Sequence, residues 1–135
     1  MNYWILKTEP SSYSFDRLVA EKTAVWDGVT NPVALKNIRA MQQGDAVCIY
    51  HTGDEKACVG LATIASAPYP DPRSGNPKRV VVELKAAKRL AKPVTLAAIR
   101  ADGGFNDLAL VRMPRLSVVP ATEAQWARLM KMAES

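Results

Sequence analysis

The run Gly44-Asp45-Ala46-Val47-Cys48-Ile49-Tyr50-His51-Thr52 decides the fold class of this 135-residue chain. After a Gly44-Asp45 turn, residues 46–52 are apolar on both faces, as expected of a strand at the centre of a sheet or barrel. Gly53-Asp54-Glu55-Lys56 then turns the chain, and Ala57 to Ala67 reads as its antiparallel partner. The small residues Gly60, Ala62, Ala65 and Ser66 in that partner suit tight curvature or close backbone approach. Such a hairpin sets Cys48 opposite Leu61, not Cys58, so no disulfide is expected and a reduced compartment is the better match. Cys48, Cys58 and the single histidine, His51, lack metal-ligand spacing, and no carboxylate cluster completes a site; neither metal nor other cofactor is expected.

Upstream, Tyr3-Trp4-Ile5-Leu6-Lys7-Thr8 reads as an opening strand ended by Glu9-Pro10, and alternation puts Tyr3 or Trp4 in the core. Ser14 caps a short helix through Phe15, Leu18 and Val19, with Asp16 well placed in its first turn. Thr23-Ala24-Val25-Trp26 is a short strand, and a helix over 32–42 follows with Gly44 as its C′ residue. Downstream, residues 68–78 form a loop dense in turn residues. The next strand alternates, with Val80, Val82, Leu84 and Ala86 facing one way and Arg79, Glu83, Lys85 and Arg89 mostly the other. Thr95 caps a short helix with Leu96 and Ile99 inward, broken by Gly103-Gly104. Leu116 to Val119 is a late strand closed by Pro120, and Thr122 with Gln125 makes a capping box for a last helix with Trp126, Leu129 and Met130 on its core face. This order mixes five or six short strands with helices and lacks regular βαβ alternation, which predicts an α+β fold around a curved or closed, mostly antiparallel sheet. With no repeat or linker, residues 1–135 form a single domain.

Hydrophobic residues make up 48% of the chain, too many for a disordered one. No apolar run approaches ~18 residues and no secretory leader is present, so a cytoplasmic, membrane-free protein is expected. The net charge of +5 conceals an asymmetry: residues 73–100 hold eight cations against Glu83 alone, while the remainder is slightly acidic. Such a block steers a polyanion, although a solvated basic face has the same composition.

The stretch Trp26-Asp27-Gly28-Val29-Thr30-Asn31-Pro32 joins a strand end to a helix start. Asn31 is the cap and Pro32 the first helical residue, where its missing N–H is no loss. An indole beside helix N-terminal N–H groups makes a place for a flat polar ligand or an anion. The same pattern also fits a Trp26 that is simply core.

Several separated segments, in one order over nearly the whole chain, resemble the EVE domain of the PUA-like superfamily, which includes the YTH domains. They are Tyr3 to Pro10, Trp26-Asp27-Gly28-Val29 with Asn31, Met41 with Gly44-Asp45, Tyr50-His51-Thr52, Gly60, Ala67 to Asp71, Lys92 to Leu96, and Arg115 to Val118. The resemblance implies a PUA-like β-pseudobarrel of about five or six mixed, mostly antiparallel strands flanked by short helices. It implies binding, not catalysis: a nucleic-acid module that recognises a modified base, a modified cytosine or other methylated base, in DNA or RNA. The implied pocket comprises Lys7, Thr8 and Glu9, then Trp26, Asp27, Gly28 and Asn31, then Tyr50, His51 and Thr52, with Arg115 and Ser117 at its margin. The commoner pattern after Val29 reads Arg, Asn, Tyr, Gln, Ala, Arg; here Thr30, Pro32, Val33 and Leu35 replace two arginines, a tyrosine and a glutamine.

A base inside a duplex must leave the stack to be inspected. Trp26, with Tyr50 or Trp4, is expected to supply the π-face, and Glu9, Asp27 and Asn31 the polar edge, helped by main-chain groups of residues 7–9. Lys7 and the basic segment, including Arg79, Lys85, Lys88 and Arg89, are expected to hold phosphates. The protein is expected to act as a monomer, with downstream action left to a separate effector protein. Two rivals remain: a small RNA hydrolase or nuclease with His51 as general base beside Glu9 or Asp27, and a small-molecule or protein-interaction module on the same barrel. Neither a nucleophile elbow nor a phosphate-cradling glycine loop supports the first.

Overall fold

A computed structural model describes residues Met1–Glu134. β1 (Tyr3–Thr8) is followed by α1 (Phe15–Glu21), β2 (Thr23–Trp26), α2 (Pro32–Arg39), β3 (Ala46–His51) and β4 (Ala57–Ile64). Then come β5 (Tyr69–Pro70), β6 (Val80–Thr95), α3 (Leu96–Ala101), a 3₁₀ turn at Gly103–Phe105, α4 (Ala109–Arg112), β7 (Val118–Ala121) and α5 (Glu123–Glu134). The described strands form one seven-stranded sheet in the order β2-β6-β4-β3-β1-β7, with β5 paired to β6. Only β1 and β3 run parallel.

β3 and its neighbours are central because their apolar residues leave no face for water: Val47 to His51 are all buried. Cys48 pairs with Leu61, as the hairpin alignment requires, and a bulge between Ile49 and Tyr50 then sets Tyr50 opposite Cys58. Both cysteines are free and buried. Gly60 lies beneath the Phe15 ring of α1, where any Cβ would overlap the ring carbons, so the close approach expected of this strand is that of a helix.

The sheet curves but does not close, since β2 and β7 end it without pairing to each other. α2 fills the gap, packing on β6 and β7 and burying Ala34, Leu35 and Ile38. Its side chains also tie both flanks: Asn37 Nδ2 donates to the Val118 carbonyl at 2.8 Å, and Arg39 Nη2 to the Lys78 carbonyl at 2.7 Å. An open edge carbonyl is thus satisfied by an amide side chain in place of a strand.

α2 ends at Arg39, three residues short of the expected helix, and Gly44 (φ +95°) is a turn residue beyond it, not its C′ residue. Asp45 captures the chain there. Its Oδ2 accepts from the Gln42 N–H at 2.9 Å and from Trp4 Nε1 at 3.0 Å, and its Oδ1 from the Asn2 N–H at 3.0 Å.

β4 stops at Ile64 instead of running to Ala67, and the 68–78 loop contains the two-residue β5. β6 runs through Pro93 to Thr95, beyond the expected stretch, with register shifts against β4. β7 begins at Val118 and includes Pro120, which a terminal strand tolerates because the missing N–H breaks no inner ladder. Trp4 is core and Tyr3 only partly buried. Trp126, expected inside, is half-buried and stacks on Tyr3 at 5.1 Å. The capping box forms in both directions, Thr122 N–H to Gln125 Oε1 at 2.9 Å and Gln125 N–H to Thr122 Oγ1 at 3.1 Å. No helix among the described residues is long and apolar enough to cross a membrane.

Candidate functional site

Where the sheet fails to close, the C-terminal end of β1, the end of β2 and the start of α2 surround a cleft of about 540 Å³. β1 and the turn after it bring Lys7, Thr8 and Glu9 to one side. Trp26, Asp27, Gly28 and Asn31 form the facing wall, and Ser117, just before β7, reaches the margin. Eight residues expected from the sequence therefore meet in one place. Ser12, Tyr13, Val25, Val29 and Thr30 complete the lining.

Trp26 is 9% exposed, so it is both a core residue and a cleft wall. Tyr13 meets it edge-on at 6.1 Å and 86°. The Tyr13 ring is itself backed by the Arg17 guanidinium at 5.0 Å. Burial, with a hydrogen bond from its hydroxyl to Glu21 Oε1 at 2.7 Å, pushes the Tyr13 phenol up to about 12, so it stays neutral. Sequence reading missed Tyr13 because it lies in the aperiodic Ser11-Ser12-Tyr13-Ser14 link. Its position comes from the turn that follows β1. There the Tyr13 N–H donates to the Glu9 carbonyl at 2.9 Å, and Thr8 Oγ1 donates to the Tyr13 carbonyl at 2.7 Å.

Polar capacity in the cleft is unevenly spent. Asn31 Oδ1 accepts from the Val33 and Ala34 N–H groups at 2.9 and 3.1 Å, capping α2, which leaves only its Nδ2 as a donor. The Glu9 carboxylate accepts from Ser11 and Thr52, and Asp27 stands 3.8 Å from Arg73. The Lys7 N–H is used by the Ser117 carbonyl, and the Thr8 carbonyl by the Thr52 N–H, so the main chain of residues 7–9 offers less than expected. By contrast, among the described residues no protein group accepts from the main-chain N–H of Gly28, Val29 or Thr30. Gly28 makes this bend possible with φ +76°, a conformation strained for any other residue.

Other expected residues lie elsewhere. His51, 7% exposed, accepts the Phe15 N–H on Nε2 at 3.0 Å, so Nδ1 carries the proton toward Glu55 Oε1 at 2.6 Å. It anchors the start of α1, and neither nitrogen is available as a base beside Glu9 or Asp27. Tyr50 and Thr52 line a second, smaller cleft that shares Lys7 with the first. Thr52 touches the main site only through Glu9, at 3.4 Å. Trp4 is buried against Asp45 and offers no ligand face. Arg115 borders a shallow groove with Val33 and Met113, adjoining the main cleft at Asn31.

Of the basic residues, Lys85, Lys88 and Arg89 surround a separate depression with Lys22, and Arg79 sits half-buried at the start of β6. Arg89 also pairs with Asp16 and lies over the Phe15 ring. Among the replaced family positions, only Thr30 faces the main cleft. Leu35 is core, and Val33 borders the groove outside. No group of three His, Cys, Asp or Glu residues that could hold a metal occurs among the described residues.

Comparison with known proteins adds ancestry to this geometry. The sequence pattern of the EVE domain matches residues 2–132. Thymocyte nuclear protein 1 of Rattus norvegicus is 28% identical over 168 residues, covering 99% of this chain and 74% of that protein. The NMR structure of a Rhodopseudomonas palustris protein superimposes with a TM-score of 0.94 at 41% identity, over 99% of this chain and 94% of that one. Human THYN1 in complex with DNA containing 5-methylcytosine superimposes with a TM-score of 0.92 at 25% identity, over 100% and 99% of the two chains.

Proposed function

The chain belongs to the EVE domain family, and on that premise we propose that it is a nucleic-acid-binding module whose Trp26–Asn31 cleft takes up a methylated cytosine from DNA. The human relative solved with 5-methylcytosine DNA supports the polymer and the base. The row of unaccepted N–H groups at Gly28, Val29 and Thr30, beside an aromatic wall, carries the reading in this chain. Main-chain donors present themselves whatever the side chains are, so the exchange of arginine, tyrosine and glutamine after Val29 leaves them in place.

At about 540 Å³ the cleft is within the range of small-molecule sites, roughly 300–1,000 Å³, and holds one base but no duplex. The base therefore enters extruded or from a single strand. Trp26 and Tyr13 flank it, while Asn31 Nδ2 and the main chain address its edge. Burying one methyl group gains about 0.8 kcal/mol, about fourfold in affinity. Larger discrimination has to come from shape and from polar groups that the wrong base leaves unpaired.

The test is an anisotropy screen over matched DNA and RNA oligonucleotides with and without 5-methylcytosine, using wild type, Trp26→Ala and Asn31→Asp. The second variant keeps the helix cap and removes only the Nδ2 donor. Loss of stacking in Trp26→Ala is expected to weaken methylated DNA by about 1–3 kcal/mol, about 5- to 150-fold. Asn31→Asp, folded by circular dichroism, is expected to bind about tenfold or more weakly. Equal affinity for every probe, or variants that bind like wild type, would end the modified-base reading. Capture of the free nucleoside with no dependence on salt would make this a small-molecule site instead.

A further inference from the structure

Beside the main cleft, across Lys7, lies the second cleft of about 290 Å³, lined by Tyr50, Thr52, Lys56, Arg100 and Pro114 among others. Three cations border it, and its lining contains no carboxylate; the nearest, Glu9, packs against Gly53 on the side of the main cleft. Neither Lys56 nor Arg100 has an ion pair or side-chain hydrogen bond among the described residues. Lys7 Nζ spends one proton on the Pro114 carbonyl at 2.7 Å and lies 5.9 Å from the Tyr50 ring centroid. Burial lowers the Lys7 ammonium from its usual range.

Tyr50 is 3% exposed, yet its hydroxyl makes no hydrogen bond to any described residue. Buried phenols ordinarily find a partner. This one ends in a cationic cleft near Arg100. A buried donor without an acceptor, ringed by uncompensated positive charge, is half of an anion site.

We propose that Tyr50, Lys56, Arg100 and Lys7 hold a phosphate group, namely the backbone phosphate next to the base in the main cleft. A phosphate group suits donors that arrive from several sides, because its oxygens point in several directions. Lys7 borders both clefts, so a strand whose base enters the first runs its backbone past the second. The identification of the phosphate as backbone rests on the base-cleft reading; the capacity of the cleft for phosphate does not.

The experiment has two arms, each with wild type and the Lys56→Gln/Arg100→Gln double variant, which leaves the base cleft intact. In the first, inorganic phosphate is titrated by NMR. The Tyr50 ring resonances are expected to shift in wild type and stay fixed in the variant. In the second, a 5-methylcytosine oligonucleotide is bound over a salt series. The variant is expected to reduce the log–log salt slope by roughly two, about one per lost phosphate contact. A neutral methylphosphonate next to the modified base should weaken wild type several-fold and the variant no further. An unchanged slope together with equal methylphosphonate losses in both proteins would overturn the backbone assignment. No shift of Tyr50 with phosphate or with oligonucleotide would overturn the site itself. Displacement of phosphate by poly-glutamate, with no oligonucleotide effect, would overturn it in favour of an acidic protein partner. Phosphate binding that is intact while methylated and plain DNA bind equally supports the phosphate site and defeats the base reading alone.

Discussion

Asp45 is 1% exposed and both its oxygens are engaged by three N–H donors, two of them on Oδ2. Asp45→Asn keeps the shape but turns one acceptor into a donor facing N–H groups. The substitution is expected to destabilise the protein by about 2–4 kcal/mol, read from the urea midpoint at constant m. An isostere as stable as wild type would show that these bonds contribute nothing net. The Gly44-Asp45 turn was legible in the sequence, but the indole of Trp4 as Asp45's partner was not, because 41 residues separate them. Gly60 was legible only as a small residue; that Phe15 is what presses on it required the packed helix. Asn31 and Gly28 were readable from local chemistry alone, a cap before proline and a turn after aspartate. Tyr50 and His51 were not, since adjacency in one strand says nothing of what each side chain meets across the sheet.

α2 covers the opening of the sheet and frames the main cleft with its first turn. Asn37 joins it to β7 by one amide bond to a strand-edge carbonyl. Asn37→Ala is expected to cost about 1–2 kcal/mol, from the lost bond and the carbonyl left without its partner. Hydrogen exchange should report faster opening along β7, at Val118 and Val119, than along β3. Uniform change over the whole chain would argue against a local clamp. Helix starts were the most readable boundaries, because Ser14, Asn31, Thr95 and Thr122 all accept from a main-chain N–H of the following turn. Helix and strand ends were less readable. α2 stops where a distant carboxylate takes the Gln42 N–H, and β6 continues because β4 pairs with it as far as Thr95.

Over the whole molecule, the C-terminal helix is tied to the chain after α3 by Asp102. Both Arg128 Nε and Nη2 donate to Asp102 Oδ2, at 2.9 and 2.6 Å, and the Gly104 N–H donates to Oδ1 at 2.8 Å. Hydrogen bonding to Arg128, then to the Gly104 N–H, holds the Asp102 carboxyl below its usual range. A depressed folded-state value stabilises the fold above the unfolded value of about 3.9 and loses that contribution as pH falls through the folded value. Urea midpoints of wild type and Asp102→Asn should therefore differ most at neutral pH and converge below about pH 4. A constant difference would exclude the ion pair as its source. The sequence by itself determined the elements, their caps, the central apolar hairpin and a family-wide arrangement of site residues, because these depend on periodicity and on contacts within a few positions. Only the tertiary structure decided that the barrel stays open beneath α2 and that Tyr13 joins Trp26. It also separated Tyr50 from the main cleft and gave it three cations. Those outcomes depend on curvature, bulges and long-range packing, where a shift of one residue or a few ångströms changes which groups meet.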